Sequence, residues 1–220
     1  MRMIHVNGSV AEFHERVIPD DLDAPEVWLF EPAQRSLVLG SAQDPTTARA
    51  DAASAYGVSV VRRRSGGGAV YVDPLRCLWF DVVLPRSDAR WSDDVRESTY
   101  WLGEAWMRAL RASGFDASLY EGGLEQTPWG RLVCFAALGP GEVLIDGRKA
   151  VGISQRRTRA GARFQCIVYD HWDPYDVLDL LELSPEDRLA AASDLAGIAT
   201  GVGGKLDVVR DAIMQELLGA

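Results

Sequence analysis

The segment "RRRSGGGAVYVD" (62–73) is the feature that most constrains the fold. It follows the apolar run "VSVV" and leads into "AVYV", so three consecutive glycines lie between two predicted strands. A P-loop and a Rossmann turn both need a helix after their glycines, so the predicted strand in that place excludes both. Glycines between strands instead let the backbone approach a ligand closely and point N–H groups at it. With Arg62–Arg64 beside them, the expected ligand is a phosphate or a carboxylate.

The basic residues are concentrated in an otherwise acidic chain. Its 220 residues carry 23 Lys and Arg against 32 Asp and Glu, a net charge of −9. Segments 62–64 and 148–163 hold three and six of these cations and contain no Asp or Glu. General nucleic-acid binding relies on extended positive surfaces, so we expect no nucleic-acid partner. Two acid-free basic segments indicate a local anion site instead.

Composition predicts one globular domain in an aqueous compartment. The chain is 47% hydrophobic, enough for an ordinary core. Its first residues lack the apolar run of a signal peptide, and no stretch has the ~18–20 apolar residues of a membrane span. Three cysteines are too few for a disulfide framework or a zinc site. We therefore expect a soluble, cytoplasmic protein with no membrane partner.

The order of predicted elements favours an α+β fold. Strands dominate the middle of the chain and helices flank it, so we expect a central mixed or antiparallel sheet rather than βαβ alternation. Apolar residues at helical spacing, capping residues and terminal glycines mark the helices. The main predicted elements are helices at 10–18, at 44–57 (N-cap Thr46 or Thr47) and at 91–114, and a strand at 131–137.

Lys149 stands out in a chain that has 21 arginines and two lysines. The dipeptide Asp146-Gly147 between apolar runs predicts a hairpin, which places Arg148 and Lys149 at the start of its second strand. A lysine here indicates a position at which arginine would not serve, because lysine is a compact charge that contacts several oxygens at once.

Two segments carry a resemblance. The runs "VVRRRSGGGAVYVD" and "VLIDGRKAVGISQRRTRAG" resemble the signature segments of the lipoate–protein ligase family, which includes octanoyl- and lipoyl-transferases and is related to biotin protein ligases. The resemblance covers roughly residues 25–170. It implies a biotin/lipoate ligase-like α+β fold and one catalytic domain over 1–220, with a core at about 25–170 and a helical tail at about 173–220.

The resemblance implies a ligase reaction. Lipoate or octanoate is activated with ATP and Mg²⁺ as an acyl-adenylate and transferred to a lysine of a lipoyl carrier domain. That carrier is a 2-oxoacid dehydrogenase acyltransferase subunit or the glycine cleavage H protein, and an accessory subunit can be required. Lys149 becomes the catalytic residue. The implied substrate and adenylate contacts are Arg62, Arg63, Ser65, Gly66, Gly67, Gly68, Ala69, Asp73, Gly152 and Gln155.

The chain departs from the family pattern on the nucleotide side. Val72 stands where members have His, and "PLRCLWFD" replaces a run like Gly-Asn-Leu-Asn. Cys166 and Ile167 fall where many members have His-Gly. These departures put ATP and magnesium chemistry in doubt. Asp81 is the remaining candidate for a metal-binding carboxylate.

Cys134 supplies an alternative reading. It lies 15 residues before Lys149, a placement that resembles the nucleophile of the cysteine-dependent octanoyl/lipoyl transferases. Its activation would come from the cations near Lys149 or from His171 brought in by the fold. A buried core role for Cys134 is the other possibility, and Cys77 and Cys166 are expected in the core. A third hypothesis is a non-catalytic protein that binds lipoyl or acyl-adenylate or docks a carrier domain.

Overall fold

The computed structural model describes residues 1–219 and contains twelve strands in this range. They form a seven-stranded sheet, a three-stranded sheet and a two-stranded ribbon. In chain order the strands are β1 (Arg2–Gly8), β2 (Glu26–Pro32), β3 (Ser36–Leu39), β4 (Ser59–Arg62), β5 (Val70–Val72), β6 (Cys77–Pro85), β7 (Ala117–Leu119), β8 (Glu125–Gln126), β9 (Ala137–Leu138), β10 (Val143–Ile145), β11 (Arg148–Arg157) and β12 (Gly161–Tyr169).

The large sheet is mixed. Its strand order is β1-β2-β6-β12-β11-β10-β7; β1 and β2 are parallel, and every other neighbouring pair is antiparallel. The small sheet has the order β4-β3-β5. Helices flank both sheets, so the predicted α+β class with a central mixed sheet is confirmed. The helices are α1 (Val10–Glu15), α2 (Ala50–Ala55), α3 (Tyr100–Ala112), α4 (Tyr175–Leu178), α5 (Pro185–Leu195) and α6 (Leu206–Leu218).

Three apolar clusters define the layers. One face of the large sheet packs on α3 and α6, with Trp106 stacked on Phe80. The opposite face packs on α1 and the small sheet through aromatic side chains that include Phe13 and Trp79. A third cluster joins the small sheet to α4 and α5. The helices of the tail therefore complete two of the three clusters, and Ala199 adds to the remaining one. Within residues 1–219, none of the helices is long and apolar enough to cross a membrane.

Several local predictions need correction. The 44–57 helix is a 3₁₀ turn at Pro45–Thr47, capped by the side chain of Asp44, followed by the short α2. The helix predicted at 91–114 begins only at Tyr100, because the Asp94 carboxylate accepts backbone N–H bonds in a preceding turn. The strand predicted at 131–137 is a 3₁₀ turn at Cys134–Ala136. The hairpin at Asp146-Gly147 is confirmed, and both residues have positive φ.

A buried ion pair ties α1 to the sheet. The Arg163 side chain on β12 donates to the Asp81 carboxylate on β6 and to the carbonyl oxygens of Phe13 and Arg16, both at 2.7 Å. Two carbonyls at the end of α1 thereby gain the partners that the helix does not supply. His14, on the same helix, is buried between these groups, and its ring centroid lies 5.0 Å from that of Trp79.

We expect the stability of the fold to fall as the pH drops below about 6.5. Burial, followed by the charges of Arg163 and Arg63, lowers the pKa of His14 from 6.5 to about 3. Between these values the unfolded chain binds a proton that the folded chain rejects, so the loss reaches about 2 kcal/mol by pH 5. Urea unfolding at pH 7 and pH 5 measures it.

The variant His14→Phe is the control for this pH effect. Asp81 is linked to His14 through the Gln165 amide, and burial raises the pKa of its carboxyl, which acts in the opposite direction at lower pH. The pH dependence of the unfolding free energy that His14 contributes should disappear in His14→Phe. The pH dependence that the carboxylates contribute should stay. Equal slopes in the two proteins would contradict the assignment.

Close packing of glycines predicts a second stability effect. A Cβ on Gly40 would overlap the carbonyl oxygen of Gly67 in the glycine loop, where only backbone could move to relieve it. Gly40→Ala should therefore destabilise the protein by roughly 2 kcal/mol or more in urea titrations. Gly123→Ala is the matched control because a Cβ there meets no atom within 4 Å, and it should change stability by less than about 0.5 kcal/mol. An equal effect of both substitutions would contradict this packing argument.

Candidate active site

A small cavity lies between the two sheets, where the glycine loop covers strands β11 and β12. Its volume is about 30 Å³, room for about two water molecules. Most of the lining is apolar, and polar side chains are grouped within it. The lining residues are His14, Val38, Arg63, Val70, Trp79, Cys134, Gly152, Ser154, Gln165, Cys166 and Ile167.

The glycine loop is held by Arg63. Its guanidinium donates to the carbonyl oxygens of Gly66 and Gly68, at 2.8 and 2.9 Å, and the side chain is buried. Gly67 has a φ of 98°, a conformation that favours glycine. Arg63 therefore lines the cavity, and two of its nitrogens bind the loop's own carbonyls.

A chain of buried polar side chains crosses the cavity. Ser65 donates to the side-chain oxygen of Gln165 at 2.9 Å and lies 3.3 Å from the hydroxyl of Ser154. The amide nitrogen of Gln165 contacts the Nδ1 atom of His14 at 3.2 Å. Sequence analysis identified Ser65 but missed the other three, since they come from α1, β11 and β12 and share no motif.

Cys134 is brought to the cavity by backbone pairing with the loop. The Ala69 N–H donates to the carbonyl of Leu132 at 2.8 Å, and the Cys134 N–H donates to the carbonyl of Ala69 at 2.9 Å. A Cβ on Gly68 would lie 2.6 Å from the backbone of Val133, so this approach requires glycine. The chain then enters the 3₁₀ turn, and the half-buried Cys134 contributes to the cavity wall.

Lys149 lies on the other side of that turn. Its ammonium contacts the Glu142 carboxylate at 2.7 Å and donates to the carbonyls of Ala137 and Cys134, at 2.8 and 3.1 Å. Both charged side chains are almost fully buried. Lys149 therefore contacts several oxygens, as expected, but they belong to the protein. Glu142 was missed, although it is the single acid between Glu125 and Asp146.

Phe135 separates Lys149 from the cavity. The Lys149 ammonium lies 5.0 Å from the centre of its ring, a cation–π distance. A Cβ on Gly152 would lie 3.0 Å from the same ring, so the glycine leaves the space that the ring fills. Lys149 instead lines a second depression of about 280 Å³ together with Leu138 and Ile198.

The proposed metal role of Asp81 does not fit its surroundings. The carboxylate is fully buried, is ion-paired with Arg163 and accepts from the indole of Trp79 at 2.8 Å. Both oxygens are engaged, so Asp81 offers no free ligand to a cation. Within the part of the chain that the structure describes, no group of three or more His, Cys, Asp or Glu is arranged to hold a metal ion.

Several predicted site residues lie outside the cavity. Asp73 caps the turn before β6, accepting from the Leu75 N–H at 2.9 Å. Gln155 points to the opposite face of β11 and donates to the carbonyl of Val95 at 2.6 Å. Arg62 is exposed at the end of β4. His171, a suggested activator of Cys134, is exposed and paired with Asp170 at 2.8 Å.

The other cysteines behave as core residues, as predicted. Cys77 and Cys166 are buried, and burial raises the pKa of the Cys77 thiol to about 12 and that of Cys166 still further. A thiol with such a raised pKa is a poor nucleophile. Cys134 is the one cysteine of the three that is partly accessible.

A curated relative is similar to part of the chain. An octanoyltransferase LipM from Kyrpidia tusciae is 33% identical over 144 residues, covering 64% of this chain and 48% of the relative. The chain thus spans about half the length of this relative.

Solved structures share the fold. One is from an archaeal lipoylation system of Thermoplasma acidophilum, a bi-partite lipoate protein ligase and its E2 lipoyl domain, with a TM-score of 0.75, 21% identity, and coverage of 99% of this chain and 82% of that one. A putative lipoate protein ligase from T. acidophilum with bound lipoic acid has a TM-score of 0.70, 20% identity, and coverage of 99% and 84%. The family model for the lipoyl protein ligase A/B catalytic domain matches residues 11–190. Since this match spans most of the chain, the protein belongs to the lipoyl protein ligase A/B catalytic-domain family.

Proposed function

We propose that the protein is an acyltransferase that moves an octanoyl or lipoyl group through a covalent thioester on Cys134. The Cys134 sulfur attacks the carbonyl carbon of an acyl thioester, a new C–S bond forms, and the donor's C–S bond breaks. The donor leaves as a thiol carrying the proton that Cys134 gave up. A lysine amine of the acceptor then attacks the Cys134 thioester, which yields an amide and restores the thiol.

The observation that carries this proposal is the position of Cys134. Its half-buried side chain is part of the wall of a mostly apolar cavity, on a turn fixed to the glycine loop on one side and to Lys149 on the other. A nucleophile needs access and a fixed geometry, and the two fully buried cysteines lack access. Similarity to an octanoyltransferase supports the same reading.

The site gives less support to the ligase hypothesis. Activation of a carboxylate with ATP and Mg²⁺ requires oxygen ligands for the metal, and Asp81 is occupied by Arg163. The similarity to ligase structures concerns the fold. We therefore derive no step through ATP or Mg²⁺, and the adenylate route stays a prediction. The non-catalytic alternative stays one as well.

Lys149 acts as a positioning residue in this proposal. Its ammonium holds the carbonyls of Cys134 and Ala137 and is neutralised by Glu142, so it fixes the turn that presents the thiol. Arginine could not replace it easily, because a planar guanidinium cannot direct its N–H groups at three converging oxygens as a compact ammonium can.

The acceptor that fits this chemistry is a lysine on a lipoyl carrier domain. An amide is more stable than a thioester, so transfer from Cys134 to an amine proceeds without further activation. Carrier identity, an accessory subunit and a cytoplasmic location stay predictions. We treat residues 1–220 as one catalytic domain, since α6 shares an apolar cluster with β6, β11 and β12.

We expect Cys134→Ser to lose acyl transfer by several orders of magnitude, because a hydroxyl without a neighbouring base is a poor nucleophile. Wild-type protein incubated with octanoyl-N-acetylcysteamine should gain the mass of one octanoyl group on Cys134, measured by intact and peptide mass spectrometry without ATP. The variant should gain none.

Cys77→Ala is the matched control, because Cys77 is buried and lies outside the cavity lining, and it should acylate like the wild type. Octanoate, ATP and magnesium are offered in a parallel reaction, with pyrophosphate release as the readout. Pyrophosphate release together with unchanged transfer by Cys134→Ser would overturn the proposal and establish the ligase.

A second prediction concerns the buried pair. Lys149→Met leaves the Glu142 carboxylate buried without a cation and should destabilise the fold by about 3–5 kcal/mol in urea titrations. Adding Glu142→Gln removes the uncompensated charge, so the double variant should regain a large part of that loss. Acyl transfer should stay low in the single and in the double variant, because neither has the Lys149 ammonium that holds the turn. A double variant no more stable than Lys149→Met would contradict the charge argument.

A further inference from the structure

His14 lines the cavity and carries a buried ring nitrogen that has no hydrogen-bond partner. Within residues 1–219, four buried side-chain polar atoms have no hydrogen-bond partner: one each on His14, Trp101, Trp106 and Arg188. Of these four residues, only His14 lines the cavity that Cys134 also lines. A buried N–H without a partner carries a desolvation penalty of about 1–3 kcal/mol, so its presence beside a nucleophile points to a ligand.

The hydrogen-bond chain fixes which nitrogen carries the proton. The side-chain oxygen of Gln165 accepts from Ser65, so the Gln165 amide nitrogen faces the Nδ1 atom of His14. An amide nitrogen only donates, hence Nδ1 is the acceptor. In the neutral imidazole the single proton then lies on Nε2, the atom without a partner.

His14 is held neutral and is a poor base. Burial and the charges of Arg163 and Arg63 lower its pKa to about 3. An imidazolium paired with a Cys134 thiolate is therefore disfavoured, and His14 would not take the thiol proton. A neutral imidazole can still donate one hydrogen bond, a use of histidine found where an oxygen gains charge during a reaction.

Several other donors near the cavity are already engaged. Arg63 uses two of its three guanidinium nitrogens on the loop carbonyls, and the Gln165 amide is shared between His14 and Asp81. The Ser65 hydroxyl donates to Gln165. An oxygen entering this space therefore meets the Nε2–H of His14 as one of the donors left free, beside the third nitrogen of Arg63.

We propose that His14 donates its Nε2–H to the carbonyl oxygen of the acyl group on Cys134 and to the oxyanion formed when that carbonyl is attacked. The inference rests on the proposed function, because this oxygen belongs to the acyl thioester that the function places on Cys134. Because Cys134 and His14 line the same small cavity, the carbonyl end of an acyl group joined to Cys134 and directed into it lies beside His14. His14 is then a catalytic residue that strengthens its hydrogen bond as negative charge develops.

The test compares two reactions of the same thiol. Acylation of Cys134 by octanoyl-N-acetylcysteamine passes through an oxyanion, whereas alkylation by iodoacetamide does not. His14→Phe keeps a ring beside Trp79 and removes the donor. Its acylation rate should fall by about 100-fold or more, the usual effect of losing one such donor. Its rate of alkylation at Cys134, followed by peptide mapping, should stay within about twofold of the wild-type rate.

Two variants complete the experiment. His14→Gln restores a side-chain N–H donor and should recover part of the acylation rate. His171→Phe removes an exposed histidine outside the cavity and should leave both rates unchanged. Circular dichroism and urea titration show whether each variant is folded at the assay temperature.

The outcomes decide whether His14 is a hydrogen-bond donor to the acyl group. A selective loss of acylation with recovery in His14→Gln supports the donor role. Unchanged acylation in His14→Phe, or an equal fall of acylation and alkylation in both His14 variants, overturns it in favour of packing alone. If the wild-type protein forms no thioester on Cys134, the proposed acyltransferase function itself is overturned. The wild-type reaction tests this point independently of the His14 variants.

Discussion

The buried pair of Arg163 and Asp81 supports the rest of the site. Arg163 joins the two central strands of the large sheet to the end of α1, and its guanidinium also lies 4.7 Å from the ring of Phe13. Without that cation the Asp81 carboxylate would be buried alone, and the α1 carbonyls would lose their donors. Burial, and after it the charge of Arg163, lowers the pKa of His14, so the ion pair that anchors this helix also helps to keep that histidine neutral.

Sequence motifs predicted the family and the sheet because both depend on local patterns. The glycine run between strands and the Asp146-Gly147 turn each specify a backbone conformation over a few residues, and both lie where expected. The 3₁₀ turn at Cys134 was not predictable in the same way. Its residues are apolar and strand-like, but within residues 132–136 only Val133 forms a bridge, and its partner Ala69 lies 64 positions earlier. The chain then turns through the bond from the Ala136 N–H to the Val133 carbonyl.

Long-range pairing also hid the roles of single charged groups. Asp81 had the appearance of a free carboxylate because its partner lies 82 residues away, and His14 lies 151 positions from the Gln165 amide that sets its tautomer. Lys149 was singled out by composition, yet the oxygens that it binds were assigned to a substrate. Composition reveals which residue is unusual, whereas only the fold shows what it contacts.

The backbone of Lys149 ties the site to residues beyond the match to the family model. Its N–H donates to the carbonyl of Ile198 and its carbonyl accepts from the N–H of Thr200, both at 2.9 Å. The family match ends at residue 190, before this short parallel bridge. The structural unit that positions Lys149 therefore extends past residue 190, the last residue that the family model matches. Ile198 and Thr200 supply main-chain partners to the lysine, and a main-chain hydrogen bond constrains the path of the chain rather than the identity of a side chain.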